Sequence, residues 1–141
     1  MRITVIHGPN LNLLGTRDPE IYGHDTLEEL NDKIRSAAAE LSIEVSFHQT
    51  AREGEIIELL HGAEDGVILN PGAYAHTSRA IADGIASISV PVVEVHLSNI
   101  HAREEWRRTS VTAEAAVGII SGFGATSYVL ALHVLKERTH P

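Results

Sequence analysis

The sequence contains no cysteine, and this absence removes several kinds of chemistry at once. Without thiols there can be no disulfide, no thiolate nucleophile and no zinc or iron–sulfur site with cysteine ligands. Lysine is scarce as well, since only Lys33 and Lys136 occur, and both lie on predicted helices away from any loop with candidate catalytic residues. Schiff-base chemistry, which needs a desolvated lysine amine, therefore has no candidate.

The chain also has few basic residues and no long apolar run. The chain has 11 Lys and Arg against 19 Asp and Glu, a formal net charge of −8, so we expect it to repel phosphate backbones and to bind no nucleic acid. No run approaches the ~20 apolar residues of a membrane span. The N-terminal run Arg2-Ile3-Thr4-Val5-Ile6 is too short for the apolar region of a signal peptide. We expect no membrane partner and a cytoplasmic location.

Apolar residues make up 43% of the chain and charged residues 21%, and no low-complexity tract interrupts them. A domain of about this size buries roughly 68–70% of the surface of its unfolded chain. Because no linker rich in Pro, Gly or Ser divides the sequence, we expect one domain over residues 1–141.

Short β-branched runs alternate with helical patterns, which is typical of a parallel sheet covered on both faces. A helix is predicted between the first two strands, with a capping box formed by Asp25 and Glu28. Further helices are predicted to end near Gly62, to span Ser78–Ile88 and to span Ala125–Lys136. The five predicted strands are Arg2–His7, Glu44–Gln49, Gly66–Asn70, Val92–His96 and Ala116–Ile120. The pattern predicts a doubly wound, five-stranded α/β fold.

Polar clusters follow three of these strands, in residues 7–12, 70–78 and 96–103. In open doubly wound sheets, ligands bind outside the carboxyl ends of the strands, at the point where the strand order reverses. The three clusters are expected to lie at that edge, so the sequence predicts the functional site there.

The segment from residue 14 to residue 23 is long and polar for a connection between a strand and a helix, and it contains Arg17, Asp18 and Tyr22 between two glycines. A tyrosine acts as a base only when neighbouring positive charge stabilises its ionised form, and Arg17 is close in sequence. The segment is predicted to be a lid. The alternative is an exposed loop whose charged residues are simply solvated.

His96 ends an apolar strand and is followed by the hydroxyl of Ser98, which places an imidazole at the carboxyl edge of the sheet. Imidazole titrates near neutrality and suits general-acid catalysis. The alternative is a histidine hydrogen-bonded to backbone, but Asn70 and His76 are expected on the adjacent loop. Asn70 and Ser98 could hold a carboxylate or hydroxyls, and Arg107 adds a cationic fork.

Nine histidines raise the alternative of a metal site. His96 and His101 are five residues apart, His76 stands alone, and no HExxH-type spacing or carboxylate ligand accompanies them. We therefore expect no metal, and no phosphate-binding glycine motif points to a nucleotide cofactor. The remaining isolated histidines are expected to be surface or packing residues: His24, His48, His61, His133 and His140.

Three long segments, in this order, resemble the type II 3-dehydroquinate dehydratase family: HGPNLNLLGTRDPEIYG (7–23), ILNPGAYAHTS (68–78) and EVHLSNIHAREEWRRTS (94–110). The resemblance covers essentially the whole chain. It implies a flavodoxin-like fold and an anti elimination of water from 3-dehydroquinate through an enolate, without metal or cofactor.

The resemblance also implies catalytic roles for four residues. Tyr22 is the base that removes the C2 proton, and Arg17 is the lid residue that favours its ionised form. His96 is the general acid at the leaving hydroxyl, and Asn10 helps to stabilise the enolate, through water.

Six further residues are implied to bind the substrate: Asn70, Leu97, Ser98, His76, Arg107 and Asp83. Asp83 would act across a subunit contact, since the family commonly forms trimers gathered into a dodecamer. The sequence departs from the usual family pattern at His7, where Asn is usual, at Asp18, where Glu is usual, at Arg79 and Ala80, and in residues 124–128. None of these departures removes a residue matched to a catalytic role.

Other proteins with this strand order fit less well. A receiver-like signalling module needs acidic residues after the first strand, an Asp after the third and a late Lys, whereas this chain has His7 and Asn70 at the first two places. A flavodoxin needs a phosphate loop rich in Ser and Thr after the first strand. A non-catalytic scaffold would be expected to lose Tyr22, Arg17 or His96, and all three are present.

Overall fold

The computed structural model of the chain describes residues 1–139, so His140, expected at the surface, lies outside the described residues. A five-stranded parallel sheet runs through these residues, with the strand order β2-β1-β3-β4-β5. The predicted doubly wound sheet is confirmed. The strands are β1 (Arg2–His7), β2 (Glu44–Gln49), β3 (Gly66–Asn70), β4 (Val92–His96) and β5 (Gly118–Ser121).

The first four strands have the predicted bounds, but the fifth was predicted at Ala116–Ile120 and is found at Gly118–Ser121. The N–H groups of Ala115 and Ala116 donate to carbonyls three residues earlier, so these residues form turns and do not pair with β4. Pairing with β4 then runs from Gly118 to Ser121. Turn hydrogen bonds therefore delay the start of the strand.

Five helices connect and cover the strands within residues 1–139: α1 (Pro19–Tyr22), α2 (Leu27–Glu40), α3 (Glu53–His61), α4 (Arg79–Ala86) and α5 (Ala125–Thr139). α3 ends just before Gly62, as predicted. α4 is shorter than the predicted Ser78–Ile88, because Ser78 is its N-cap and accepts a hydrogen bond from the Ile81 N–H at 2.9 Å. Short 3-10 turns lie in the loops at Leu11–Leu13, Gly72–His76, Ile100–Ala102 and Glu105–Arg107. None of the helices described here is long and apolar enough to cross a lipid bilayer.

The predicted capping box at the start of α2 is wrong by one residue. Thr26 is the N-cap, and its hydroxyl accepts from the Glu29 N–H at 3.2 Å while the Glu29 carboxylate accepts from the Thr26 N–H at 3.4 Å. Asp25 instead pairs with Lys33 at 2.5 Å. The spacing was right, but Leu27 is the first helical residue, so the cap falls on Thr26.

Two apolar layers form the core, one on each face of the sheet. Ile3 and Val5 of β1 pack with α2 and α5, whereas Ile6 packs with α3 and α4. Side chains alternate along a strand, so burial on both faces explains why the inner strands β3 and β4 are mostly apolar. Each such side chain, fully buried, stabilises the fold by roughly 1.5–3 kcal/mol.

The strand order reverses between β1 and β3, and the loops that leave these strands approach each other closely. The Gly8 N–H donates to the Asn70 carbonyl at 2.7 Å, and a Cβ on Gly8 would lie 2.7 Å from the backbone of Pro71. Gly72 has a φ of +59°, and its Cβ would meet the Pro9 carbonyl at 3.0 Å. Glycine is therefore required on both loops, and their contact forms one wall of the site.

Candidate active site

A cleft, open to solvent on one side, lies at the carboxyl edge of the sheet. All the predicted site residues except Asp83 line it, and they are Asn10, Arg17, Tyr22, Asn70, His76, His96, Leu97, Ser98 and Arg107. The edge predicted from the sequence is therefore the edge that carries the cleft.

The loop after β1 holds Asn10 at the cleft. Asn10 has a φ of +71°, a left-handed conformation that asparagine tolerates better than most residues, and it precedes the 3-10 turn Leu11–Leu13. Leu11, the first residue of this turn, and Leu14, which follows the turn, are buried in the core. The buried leucines anchor the loop, so the exposed Asn10 has a defined place at the rim.

The hydroxyl of Tyr22 lies between two guanidinium groups. Arg103 Nη1 donates to it at 2.8 Å and Arg17 Nη2 at 3.4 Å. The two guanidinium carbons also lie over the tyrosine ring, at 5.1 Å and 4.6 Å from its centroid. Two charge-assisted donors therefore converge on the Tyr22 oxygen.

Arg103 was not assigned a role from the sequence, although it reaches the cleft. Besides Tyr22, its Nη1 lies 3.4 Å from the Ser98 hydroxyl. Its Nε is buried and has no hydrogen-bond partner among the described residues. Buried donors are normally paired, so this N–H is available to a ligand. Its one signal in the sequence was its place at the end of the polar cluster of residues 96–103, which follows β4.

His96 is buried at the floor of the cleft and is bonded to a buried carboxylate. Its Nε2 lies 2.8 Å from Glu94 Oε2. Glu94 also accepts from the hydroxyl of Ser110 at 2.6 Å and from that of Thr112. A buried carboxylate is tolerated when its oxygens are satisfied in this way. Since Nε2 donates to Glu94, Nδ1 is the nitrogen of His96 that remains for other partners.

Glu94 was missed by sequence reasoning, yet its position carried a signal. It is the one charged residue in the buried strand Val92–His96 and stands two positions before His96, on the same face. A charge in such a strand needs a partner, and the histidine supplies it. Ser110 and Thr112 could not be placed because they come from a loop without a regular pattern.

His76 lies beside His96, with 6.3 Å between the ring centroids, as expected for the adjacent loop. Its Nδ1 donates to the Thr109 carbonyl at 2.8 Å, and Trp106 packs edge-on against its ring at 5.3 Å. Desolvation lowers the pKa of His76, with the neighbouring His96 and Arg107 acting in the same direction. The ring therefore favours its neutral form, with Nε2 as an acceptor.

The cleft is positively charged although the chain is acidic. Arg17, Arg103 and Arg107 line it, and no carboxylate does so within the part of the chain that is described. Arg107 bonds to Glu104 and lies over the Trp106 ring at 4.1 Å from its centroid. Guanidinium groups bind carboxylates in a directed, planar manner, so the cleft suits a small anion.

His7 and Asn70 end neighbouring strands, and their side chains are joined through Tyr128 of α5. Tyr128 lies 3.0 Å from both His7 Nδ1 and Asn70 Nδ2. Burial lowers the pKa of His7 to about 4 and raises the pKa of Tyr128. The departure at residue 7 is therefore a neutral, buried histidine behind the cleft rather than a residue that lines it.

Asp83 does not reach the cleft. It lies exposed on α4, beside a shallow cavity lined by Arg79, Val111 and Glu114. Its expected role across a subunit contact stays a prediction. Within residues 1–139, no three histidine or carboxylate side chains come close enough together to hold a metal ion.

Comparison with known proteins places this site in a family. The model of the family described as class II dehydroquinases matches residues 1–136. The 3-dehydroquinate dehydratase of Caldanaerobacter subterraneus subsp. tengcongensis is 56% identical over 138 residues, covering 96% of this chain and 93% of that protein. The 3-dehydroquinate dehydratase 1 of Agrobacterium fabrum is 53% identical over 140 residues, covering 97% of each.

Solved structures agree with the sequence comparison. The type II dehydroquinase of Butyrivibrio crossotus superimposes with a TM-score of 0.94 at 44% identity, covering 96% of this chain and 97% of that one. That of Propionibacterium acnes gives a TM-score of 0.93 at 40% identity, covering 96% of each chain. The chain therefore belongs to the class II dehydroquinase family.

Proposed function

We propose that this chain is a hydro-lyase that eliminates water from 3-dehydroquinate to give 3-dehydroshikimate, in the shikimate pathway to aromatic amino acids or in quinate catabolism. The observation that carries the proposal is the Tyr22 hydroxyl between two guanidiniums, in the same cleft as the His96–Glu94 pair. The pairing supplies a stabilised base and a stabilised acid. The substrate is a carboxylate, which suits the cationic lining of the cleft.

Tyr22 acts as the base. Its phenolate, held by Arg17 and Arg103, removes a proton from C2 of the substrate, and the electrons move into the C3 carbonyl to form an enolate. The two guanidinium groups donate to the phenolate oxygen and hold it at the cleft. Asn10 stands at the rim of the same cleft, where it stabilises the enolate oxygen through water.

His96 acts as the acid. With Nε2 bonded to Glu94, its Nδ1 donates a proton to the C1 hydroxyl, which leaves as water while the enolate collapses to the conjugated enone. The Glu94 carboxylate stabilises the protonated ring and fixes its orientation. The proton taken by Tyr22 and the one lost by His96 balance through solvent, so the enzyme returns to its starting state without any cofactor.

The substrate is held by groups from each of the three loops. Asn70, Leu97 and Ser98 bind it at the strand ends, the latter two partly through backbone N–H groups. His76 and Arg107 meet its ring hydroxyls. The base stands on the lid and the acid on the sheet, and this separation suits an anti elimination, in which the proton and the hydroxyl depart from opposite faces of the ring.

Assembly and location complete the proposal. Residues 1–141 form a single catalytic domain, and trimers of the chain gather into a dodecamer in which Asp83 of one subunit completes the site of the next. The exposed position of Asp83 on α4 supports this arrangement. A cysteine-free sequence suits the cytoplasm, where we place the enzyme. A fully active monomer at assay concentration would contradict the shared site.

The activity is tested by mixing the protein with 3-dehydroquinate and following the ultraviolet absorbance of the conjugated enone. We expect the absorbance to rise with enzyme concentration. Substrate carrying deuterium at either C2 position should lose label only from the face opposite the C1 hydroxyl. A non-catalytic scaffold would give no absorbance, and loss of label from the same face as the hydroxyl would contradict the anti elimination.

Two treatments test the absence of imine and metal steps. Borohydride added with substrate should leave activity intact, because neither Lys33 nor Lys136 lines the cleft. A chelator should also be harmless, because the cleft histidines are assigned to hydrogen bonds. Covalent trapping of substrate on either lysine, or activity lost on chelation and restored by zinc, would overturn these assignments.

A further inference from the structure

A row of four polar side chains runs through the interior behind the cleft, from Asn70 at its wall to Asn31 on α2. Asn70 Nδ2 lies 3.0 Å from the Tyr128 hydroxyl, which lies 3.0 Å from His7 Nδ1. His7 Nε2 lies 2.7 Å from Asn31 Oδ1. Of these residues only Asn70 lines the cleft. The other three have no place in the mechanism, although buried polar groups are costly unless they are satisfied.

The direction of this row is set at the Asn70 end by a backbone group. The Gly72 N–H donates to Asn70 Oδ1 at 3.1 Å. A backbone N–H can only donate, so the atom that faces it must be the amide oxygen, and Nδ2 must face Tyr128. The Tyr128 oxygen therefore accepts from Asn70, and its own hydrogen has to be donated elsewhere.

The donors and acceptors of the other two hydrogen bonds, from Tyr128 to His7 and from His7 to Asn31, follow in the same way. Tyr128 donates its hydrogen to His7 Nδ1, which must then be unprotonated. A neutral imidazole carries its proton on the other nitrogen, so Nε2 donates to Asn31 Oδ1. The lowered pKa of His7, caused mainly by burial, agrees with a neutral ring. Each donor in the row from Asn70 to Asn31 thus has one acceptor, and each acceptor has one donor.

Packing holds the middle of the row still. Tyr128 and His7 are both fully buried. The His7 ring also stacks on Phe47, with 4° between the planes and 6.4 Å between the centroids. Two rigid side chains from α5 and β1 therefore hold the amide of Asn70 from behind, while the loop after β3 holds it from the side through Gly72.

We propose that His7 and Tyr128 are positioning residues for substrate recognition, because they hold Nδ2 of Asn70 from behind the cleft and so fix the plane in which its amide meets a ligand. With its oxygen taken by Gly72 and one amide hydrogen taken by Tyr128, Asn70 has a second N–H donor left for a ligand. The row therefore makes Asn70 a donor to a hydroxyl or carboxylate oxygen and opposes the flipped amide. The inference rests on the proposed function, which identifies Asn70 as a substrate ligand.

The first test deletes the hydroxyl at the centre of the row. Tyr128→Phe should raise KM for 3-dehydroquinate by about tenfold, the effect of losing one well-placed hydrogen bond, and should change kcat much less. In an Asn70→Ala background the same substitution should leave KM unchanged, because no amide remains to be positioned. Additive effects of the two substitutions would overturn the proposal.

Two substitutions of His7 separate its effect on the position of Asn70 from its effect on the stability of the fold. In asparagine the Oδ1 is bonded to Cγ, as Nδ1 is in histidine, so His7→Asn keeps an acceptor for Tyr128 whereas His7→Leu removes it. We expect KM to rise with His7→Leu and to return toward the wild-type value with His7→Asn. Leu132→Ala, a cavity in the same core layer, should lower stability and leave KM unchanged. An equal rise of KM with Leu132→Ala would show that any loss of stability has this effect.

A crystal structure of Tyr128→Phe, compared with one of the wild type, tests the row without relying on turnover. We expect the plane of the Asn70 amide to be turned from its wild-type position, or its electron density to be divided between two planes, once its partner is gone. If wild-type protein fails to dehydrate 3-dehydroquinate, the proposed function fails while this comparison still decides the positioning role. An Asn70 amide in the same orientation in both structures would overturn the inference.

Discussion

The two ends of the cleft are built differently. His96 stands on a strand that pairs on both sides, and the oxygens of its partner Glu94 receive hydrogen bonds from three side chains. Tyr22 stands at the end of the single-turn helix α1, and its hydroxyl is reached by two arginines from separate segments. The proposed acid thus belongs to the sheet and the proposed base to a loop, and only the proposed base can move far without disturbing the core.

The backbone of the lid, residues 14–23, explains why this segment can move without the core. α1 has four residues, and its N-cap, Asp18, has a φ of +34° with no side-chain cap. A helix this short gains little from its own hydrogen bonds. Gly15 and Gly23, on either side, have φ values of +89° and +83°, which glycine adopts at little cost. These features fit a lid that opens for the substrate and closes to bring Tyr22 to the cleft.

The largest effect is expected at the lid. Tyr22→Phe keeps the ring between Arg17 and Arg103 and deletes only the ionisable hydroxyl, so kcat should fall by at least the ~10²-fold that a general base contributes. Steady-state kinetics by enone absorbance would measure it, with thermal unfolding to check the fold. Near-normal turnover would remove Tyr22 as the base and return the lid to an ordinary solvated loop.

An effect of similar size is expected at β4, where one substitution tests the proposed acid, His96, and a second tests its partner, Glu94. His96→Ala should lower kcat by about 10²-fold, the contribution of a general acid. Glu94→Gln keeps an oxygen acceptor for Nε2 but removes the charge, so kcat should fall by a smaller factor of about tenfold. Equal turnover in Glu94→Gln and the wild type would show that Glu94 serves only in packing.

The third prediction concerns buried His7, whose neutral ring should make the stability of the fold depend on pH. The ordinary pKa of histidine is 6.5, and that of buried His7 is about 4. Between these values the unfolded chain binds a proton at residue 7 that the folded chain does not, so stability must fall as the pH falls. From pH 7 to pH 5 this site should remove about 2 kcal/mol from the free energy of unfolding.

Chemical denaturation of the wild type and of His7→Asn at both pH values would measure this contribution. The variant lacks the titrating ring, so its stability should decline less over the same interval. Other titrating groups are present in both proteins, so their contributions cancel when the stability change of the variant is subtracted from that of the wild type. A decline of the same size in both proteins would contradict a neutral, buried His7.

Regular patterns made most of the fold and much of the site predictable. Four strands and the edge that carries the cleft followed from alternation and from the rule for parallel sheets, because these depend on local apolar spacing. The cleft lining followed from the resemblance, residue by residue. Asp83 shows the limit of this reasoning, since its expected role involves another subunit.

The missed residues share a physical reason. Arg103, Ser110 and Thr112 come from the irregular stretch between β4 and β5, where no periodicity tells which side chains turn inward. Tyr128 was given no role from the sequence, and the importance of its hydroxyl is clear only from the packing of α5 against the ends of β1 and β3. Contacts between distant segments are set by tertiary packing, which a local pattern does not contain.

The two arginines around Tyr22 provide the fourth prediction. Arg103 makes the shorter bond and is partly buried against the cleft, whereas the Arg17 bond is 3.4 Å long and comes from the lid itself. Arg103→Lys should therefore lower kcat by about tenfold, and Arg17→Lys by less, because lysine keeps the charge but loses the planar fork. A larger loss at Arg17 would indicate that the closed lid relies on the geometry of that residue instead.

The smallest effect is expected at Ser98, whose hydroxyl lies 3.4 Å from Arg103 and whose neighbouring backbone donors remain when it is removed. Ser98→Ala should raise KM by about two- to fivefold, the effect of one modest hydrogen bond, and leave kcat nearly unchanged. Ser87→Ala, which removes a hydroxyl at the far end of α4, is the matched control and should change neither value. A fall in kcat comparable to that of His96→Ala would mean that the Ser98 hydroxyl takes part in the chemical step, and the division between a binding group at Ser98 and a catalytic group at His96 would have to be redrawn.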